Sequence, residues 1–257
     1  MKTVVKIGTS TLAHATGRLN IKRIEQLCKV LSDLKNAGHE IILVSSGAIG
    51  MGVGKLGLSA RPRDVAGKQA AAAVGQCELM YTYDKLFSEY NHTVAQILLT
   101  ADDLRHQDRH QNFENTMGRL LALSVLPIIN ENDTVATNEI VIGDNDTLAA
   151  IVAECVRADK LVLLSDIDGL YTDDPHKNTD AQLISDVYAL DDQIMALGGS
   201  AGSSLGTGGM ATKLRAAQIA TDAGCDMVIA NGADPEALYS IVEGKSIGTR
   251  FHARKGV

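Results

Sequence analysis

Residues 3–7 are short, β-branched and end at Gly8, a pattern that predicts a buried strand running into a turn. Ile21, Ile24, Leu27, Leu31 and Leu34 then recur at helical spacing. Asn20 stands where a cap would start that helix, and Gly38 where a stop would end it. Residues 40–44 are again apolar and β-branched, ending at Ser45-Ser46-Gly47. Strand, helix and strand in this order make a parallel βαβ unit, because parallel neighbours need a crossover.

The rhythm continues to the end of the chain. Helical patterns cover residues 63–87, 112–123, 146–157, 210–223 and 235–242, and strand patterns cover 94–99, 126–130, 160–164 and 226–230. Alternation of this kind predicts the α/β class, with a mainly parallel sheet covered on both faces. Ligands of such sheets bind beyond the carboxyl ends of the strands. Gly8, Ser46-Gly47, Asn130 to Asp133 and Ser165-Asp166 each follow a predicted strand. Neither an internal repeat nor a clear linker is visible. The glycine- and serine-rich stretch 200–209 precedes a helix, where backbone N–H groups can receive an anion.

Composition narrows the classes. A chain of 257 residues, 45% hydrophobic, holds one large α/β domain or two small ones. With 24 glycines and 4 prolines, tight turns between regular elements are favoured over a disordered chain. The net charge of −7 and the absence of a Lys/Arg run argue against general nucleic-acid binding. Cys28, Cys77, Cys155 and Cys225 are far apart and form no C-x-x-C pair, as expected of buried free thiols in a reducing compartment. No signal peptide is visible, and no apolar run approaches the ~20 residues that span a bilayer. A soluble, cytoplasmic protein is expected.

Two familiar labels fail. The run from Gly47 to Gly57 has three residues between Gly50 and Gly54, and Lys55 is followed by Leu56, so it is no Walker A loop. Gly52 is followed three positions later by Lys55, so it is no dinucleotide fingerprint either. His106 and His110 lie four apart, but a metal set would need further ligands, and the polar surroundings suit a solvated face or a helix start. His39 and His252 have no evident partner in the sequence and are expected at the surface or in turns.

Three stretches carry candidate chemistry. Lys6 with Gly8-Thr9-Ser10, and Gly206 to Lys213, each combine glycine, hydroxyl and lysine. Glycine lets N–H groups approach an anion, and lysine supplies the charge. Gly143-Asp144-Asn145-Asp146 packs two carboxylates and an amide into one turn. Each has an ordinary alternative: Lys6 as a snorkelling strand-end lysine, Lys213 as a solvated helix lysine, the acidic segments as Asx turns and a helix cap at Asp144. Together, two lysine-bearing anion loops and an acidic turn suit phosphoryl transfer, which needs positive charge on the transferred group and the leaving phosphate.

Along nearly its whole length the chain resembles the glutamate 5-kinase family of the amino-acid kinase superfamily. Residues 166–175 (DIDGLYTDDP) and Gly208-Gly209-Met210 with Lys213 look like superfamily motifs, which speak for the fold and the ATP site. Ser45 to Ile49, Ile129 to Asp133 and Gly143 to Asp146 are more like the glutamate 5-kinase pattern. The resemblance implies a three-layer αβα sandwich that phosphorylates the γ-carboxylate of L-glutamate with ATP and Mg2+, the first step toward proline. By the same resemblance Lys6 and Lys213 neutralise the transferred group and Asp146 orients them. Ser46, Gly47, Asp133 and Asn145 hold glutamate. Lys6, Gly8, Ser165, Asp166, Thr207, Gly208, Gly209, Met210, Ala211, Thr212 and Lys213 contact the nucleotide.

The resemblance also implies a homo-oligomer, dimer or tetramer, and a reductase that takes the γ-glutamyl phosphate, with no nucleic-acid or membrane partner. Many family members carry a C-terminal PUA domain. Here residues 1–257 are expected to form an amino-acid kinase domain without it, and Ser165 stands where the family often has threonine. The alternatives are N-acetylglutamate kinase or a non-catalytic amino-acid sensor. Asp133 separates the first, since a free α-ammonium wants a carboxylate and an acetylated nitrogen does not. Lys6 and Lys213 weigh against the second.

Overall fold

The structure is a computed structural model that describes residues 1–14, 18–135, 144–175, 177–199 and 209–254. The chain opens with β1 (Lys2–Ile7), α1 (Thr9–Leu12), α2 (Ile21–Asn36), β2 (Glu40–Ser45), α3 (Ala48–Lys55) and α4 (Val65–Ser88). It continues with β3 (Val94–Leu99), α5 (Ala101–Arg105), α6 (Gln107–Ala122), β4 (Leu126–Glu131), α7 (Asn145–Cys155) and β5 (Lys160–Ser165). Then come β6 (Asp186–Val187), α8 (Asp192–Ala196), α9 (Met210–Asp222), β7 (Asp226–Asn231), α10 (Ala237–Val242) and β8 (Thr249–Phe251).

Among the described residues the strands form one sheet in the order β3-β4-β2-β1-β5-β7-β8-β6. All pairings are parallel except β7 with β8. β1 lies between β2 and β5 and is buried from Thr3 onward, which explains an apolar run with little polar alternation. Its side chains still alternate between faces. Val4, Val44 and Leu163 join one core with Leu148 and Val152 of α7 and Leu214 and Ala217 of α9. Val5, Leu43 and Val162 join the other with Leu27 and Leu31 of α2, Leu79 and Tyr83 of α4 and Leu238 of α10. Helices thus enclose the sheet on both sides in three layers. Lys6 shares its face with Val4, toward α7 and α9.

The end signals act as expected. The Asn20 side chain accepts from the Arg23 N–H at 3.2 Å, and Asp144 accepts from the Thr147 N–H at 2.8 Å. Gly38 and Gly224 follow α2 and α9 in the left-handed region, at φ +92° and +78°. Ile24, Leu27, Leu31 and Leu34 are buried, but Ile21 is 61% exposed on the first turn, outside the packed part of the stripe. β6, α8 and β8 carry too few residues to show a periodicity, and the sequence pattern missed them. His252 is not partnerless: its Nε2 lies 2.7 Å from Asp186 Oδ1 and its ring stacks on Tyr188. Cys28 and Cys225 are buried thiols, Cys155 is half-buried and Cys77 is exposed, which corrects the expectation of four buried ones. No described helix is long and apolar enough to cross a membrane.

The glycine run after β2, with no nucleotide fingerprint in it, turns out to be α3. Gly47 opens it at φ +111°, a conformation that glycine alone adopts easily. Gly52 and Gly75 let α3 and α4 touch backbone to backbone. A Cβ at Gly75 would fall on the Ala48 carbonyl oxygen, and one at Gly52 on that of Ala71, both well inside contact distance. Gly75→Ala is therefore expected to destabilise the fold by about 2 kcal/mol or more, despite a higher helix propensity. Urea unfolding of the two proteins measures the difference; an unchanged midpoint would show that the helices simply move apart.

Candidate active site

Because β1, β2, β4, β5 and β7 run parallel, Ile7, Ser45, Glu131, Ser165 and Asn231 end at one edge of the sheet. The chain leaves β1 toward β2 and returns on its other side at β5, so a topological switch falls at β1. The candidate residues gather there.

Asp146 lies in the first turn of α7 and is fully buried. Lys6 Nζ stands 2.5 Å from its Oδ1 and Lys213 Nζ donates to its Oδ2 at 3.1 Å. Both ammonium groups are themselves nearly buried. Burial pushes the Asp146 carboxyl up, but the Lys6 and Lys213 charges outweigh it and hold the group below the usual carboxylate range. Thr212 Oγ1 lies 2.8 Å from the Gly209 carbonyl and 3.2 Å from Asp146 Oδ2, so its one proton serves one acceptor at a time. Lys213 sits in the first turns of α9, whose start at Gly209 lacks a side-chain cap. Two ammoniums for one carboxylate, beside two helix N-termini, leave a net positive region suited to a phosphate. Gly8 keeps part of this space clear. Its φ of −86° suits any residue, but a Cβ there would stand 3.5 Å from Lys6 Nζ.

A second set of contacts is a directed chain of amides. The Glu131 N–H must donate, so the atom of Asn130 that it meets at 2.9 Å is Oδ1. Asn130 Nδ2 then points to Gln76 of α4, which accepts through Oε1 at 2.9 Å. The same Asn130 Oδ1 accepts from Asn145 Nδ2 at 2.9 Å, and Asn145 Nδ2 also donates to Ser46 Oγ at 2.7 Å. Ser46, accepting there, keeps its hydroxyl proton for another acceptor. Neighbouring Ser45 shares a 2.8 Å hydrogen bond with the buried Tyr83.

Other predicted residues stand further apart. Asp133 is half-buried in the turn after β4 and, among the described residues, makes no hydrogen bond or ion pair with Ser46, Gly47 or Asn145. Burial pushes its carboxyl up, and the Arg61 charge pulls it part-way back. Ser165 ends β5 and donates to the exposed Asp166 at 3.2 Å. Met210 packs its side chain against the core, and Ala211 is exposed. Thr207, Gly208 and Gly143 lie outside the described residues, as does the stretch 200–208. Sequence reasoning did not name Gln76, and only its place in an alanine-rich helical face hints at burial.

Comparisons with known proteins bear on the family and the fold. The profile described as "Amino acid kinase family" matches residues 1–231. A protein named glutamate 5-kinase from Clostridium tetani is 56% identical over 252 residues, covering 98% of this chain and 94% of that one. One from Clostridium perfringens is 52% identical over 257 residues, covering 98% and 96%. A longer glutamate 5-kinase from Moorella thermoacetica is 51% identical, and the match covers 67% of it. Among solved structures, the isopentenyl phosphate kinase of T. acidophilum superposes with a TM-score of 0.66 at 19% identity over 98% of this chain and all of that one. The carbamate kinase of Giardia lamblia bound to AMP-PNP gives 0.67 at 17% identity, covering 98% of each. These likenesses show a shared fold.

Two outcomes test the geometry. Gln76→Leu leaves a buried Asn130 amide without its acceptor and is expected to cost about 1–3 kcal/mol; the shift in urea midpoint from the wild type measures it, and an unchanged midpoint would refute the role of that bond. Asp146 has a lower pKa folded than unfolded, so its stabilisation is complete above the unfolded value near ~3.9 and is lost as pH falls toward the folded one. The wild type should therefore lose more stability than Asp146→Asn as pH drops below about 4, read from denaturation midpoints between neutral and acid pH; parallel losses would refute the coupling.

Proposed function

The chain belongs to the amino acid kinase family, among the glutamate 5-kinases, and on that premise we propose that it transfers the γ-phosphoryl group of ATP to the side-chain carboxylate of L-glutamate. A γ-carboxylate oxygen attacks the terminal phosphorus. The new O–P bond forms as the bond from that phosphorus to the bridging oxygen of ADP breaks. The products are γ-glutamyl phosphate and ADP, the first step toward proline.

The acceptor, with an unperturbed pKa near ~4.3, is already ionised at neutral pH, so no general base is required. The difficulty is one anion approaching another, and the remedy is alignment with charge neutralisation. The observation that carries this proposal is the buried Lys6–Asp146–Lys213 triad. Lys6 and Lys213 meet the transferred group, and Asp146 holds both ammoniums in place without taking a proton. Gly8 admits the phosphates. Ser165, Asp166 and the segment from Thr207 through Gly208, Gly209, Met210, Ala211 and Thr212 to Lys213 receive the nucleotide, Met210 through its backbone.

Glutamate is held at the other end. Ser46 donates to its carboxylate, Gly47 offers backbone, Asn145 positions it, and Asp133 pairs with the α-ammonium. Asp133 fits this role because burial penalises its charge until a cation arrives. ATP enters as its magnesium complex. Asp146 is committed to two lysines, so Mg2+ would be held by the ATP phosphates and water, where it would offset the charge of the terminal phosphate. We place the enzyme in the cytoplasm as a homo-oligomer that passes its reactive acyl phosphate to a reductase.

The test is hydroxamate formation from ATP, Mg2+ and hydroxylamine with L-glutamate, N-acetyl-L-glutamate or L-aspartate. Signal with glutamate alone is expected. Lys213→Ala, folded by circular dichroism, should lower kcat by about 10²–10³-fold. Preference for the acetylated or shorter acid overturns the substrate, and no signal with any acid favours a sensor.

A further inference from the structure

His110, one of the two histidines spaced four apart in the sequence, does not face only solvent. Its Nε2 lies 3.1 Å from Cys155 Sγ and 3.6 Å from Glu114 Oε1. One ligand atom from each of the three residues falls within 4.8 Å of the others, and all three residues are half-buried. His110 and Glu114 are one turn apart on α6, and Cys155 is the last residue of α7. The cluster is therefore built by two helices, about 13 Å along α7 from Asp146.

The protonation pattern of the ring is fixed from behind. Nδ1 lies 3.2 Å from the Leu104 carbonyl, which can only accept, so Nδ1 carries the proton. In the neutral ring, Nε2 then presents its lone pair to the thiol and the carboxylate. An imidazole lone pair, a sulfur and a carboxylate thus lie within reach of one another. A metal-ligating histidine is commonly oriented in this way, by a carbonyl on its other nitrogen. In a tetrahedral zinc site, with Zn–N near ~2.05 Å, Zn–S near ~2.3 Å and Zn–O near ~2.1 Å, adjacent ligand atoms stand about 3.4–3.6 Å apart. The observed N···O of 3.6 Å meets that spacing, and the N···S of 3.1 Å would open by about 0.4 Å as the ion enters.

We infer that His110, Glu114 and Cys155 hold a zinc-class divalent ion that joins α6 to the end of α7, with water as the fourth ligand. The ion takes the Nε2 lone pair, one carboxylate oxygen and the sulfur, and the thiol proton leaves to solvent. Metal binding therefore releases a proton and strengthens as pH rises. Mixed sulfur and nitrogen donors select zinc over the Mg2+ that accompanies ATP.

The probe is Co2+ added to the chelator-stripped protein, followed by Zn2+ competition. One equivalent should bind with thiolate-to-cobalt charge-transfer absorption, and Zn2+ should remove it. Cys155→Ser and the gentler Glu114→Gln should both weaken binding, the former by about 100-fold or more. Cys77→Ser, which alters the exposed thiol, should bind as the wild type does. Zn2+ should raise the melting temperature of the wild type and leave that of Cys155→Ser unchanged. Absence of the charge-transfer band, or equal affinity in Cys155→Ser, would overturn the site; hydroxamate activity in the stripped protein keeps that result separate from the kinase proposal.

Discussion

A carboxylate with no exposed surface, placed between two ammonium groups, is the constraint around which the rest is arranged. Asp146 cannot keep its charge in the interior without partners, and removing one partner of such a set leaves an uncompensated buried ion. Lys6 comes from the middle strand of the sheet and Lys213 from α9, so one carboxylate ties the sheet to two helices. The set is also asymmetric. One negative charge keeps two positive charges aimed and close together, when without it they would repel. A phosphate entering the region meets cations that are already oriented.

The topology makes this arrangement available. A strand in the middle of a parallel sheet is covered above and below, and a lysine there has one way out, past its carboxyl end. Lys6 is the penultimate residue of β1, and its face of the sheet is the face on which α7 begins. Asp144 caps that helix and leaves Asn145 and Asp146 in its first turn, one toward Ser46 and one toward the lysines. A single helix end thus serves both halves of the site.

Much of this was legible in the chain itself. The central strands announced themselves as apolar runs, the helices by periodicity, and Asn20, Asp144 and Gly38 by their place at element ends. Lys6 and Lys213 each had an ordinary alternative and stood out together, as two lysines near glycine turns, while the role of Asp146 came from the family resemblance. What escaped was long-range or short-lived in sequence. β6 and β8 span two and three residues and exist through pairing with each other and with β7. Gln76 is a polar residue in an alanine-rich helix, and its meaning lies in Asn130, fifty-four positions away. The run of glycines after β2 matches neither nucleotide motif, and its purpose, contact with α4, belongs to a partner the local pattern does not contain.

That contact has a consequence for recognition. Ser46 and Gly47 lead into α3, while Gln76 lies on α4 and sets the amide chain that reaches Ser46 from the opposite side. With α3 and α4 in backbone contact at Gly52 and Gly75, the two sides cannot drift independently. The polar groups at this end of the sheet are thus preorganised: the conformational entropy of ordering them is lost during folding. A small, highly hydrated zwitterion offers little apolar surface to drive its own capture, so walls fixed in this way would let a few polar contacts discriminate by length and charge.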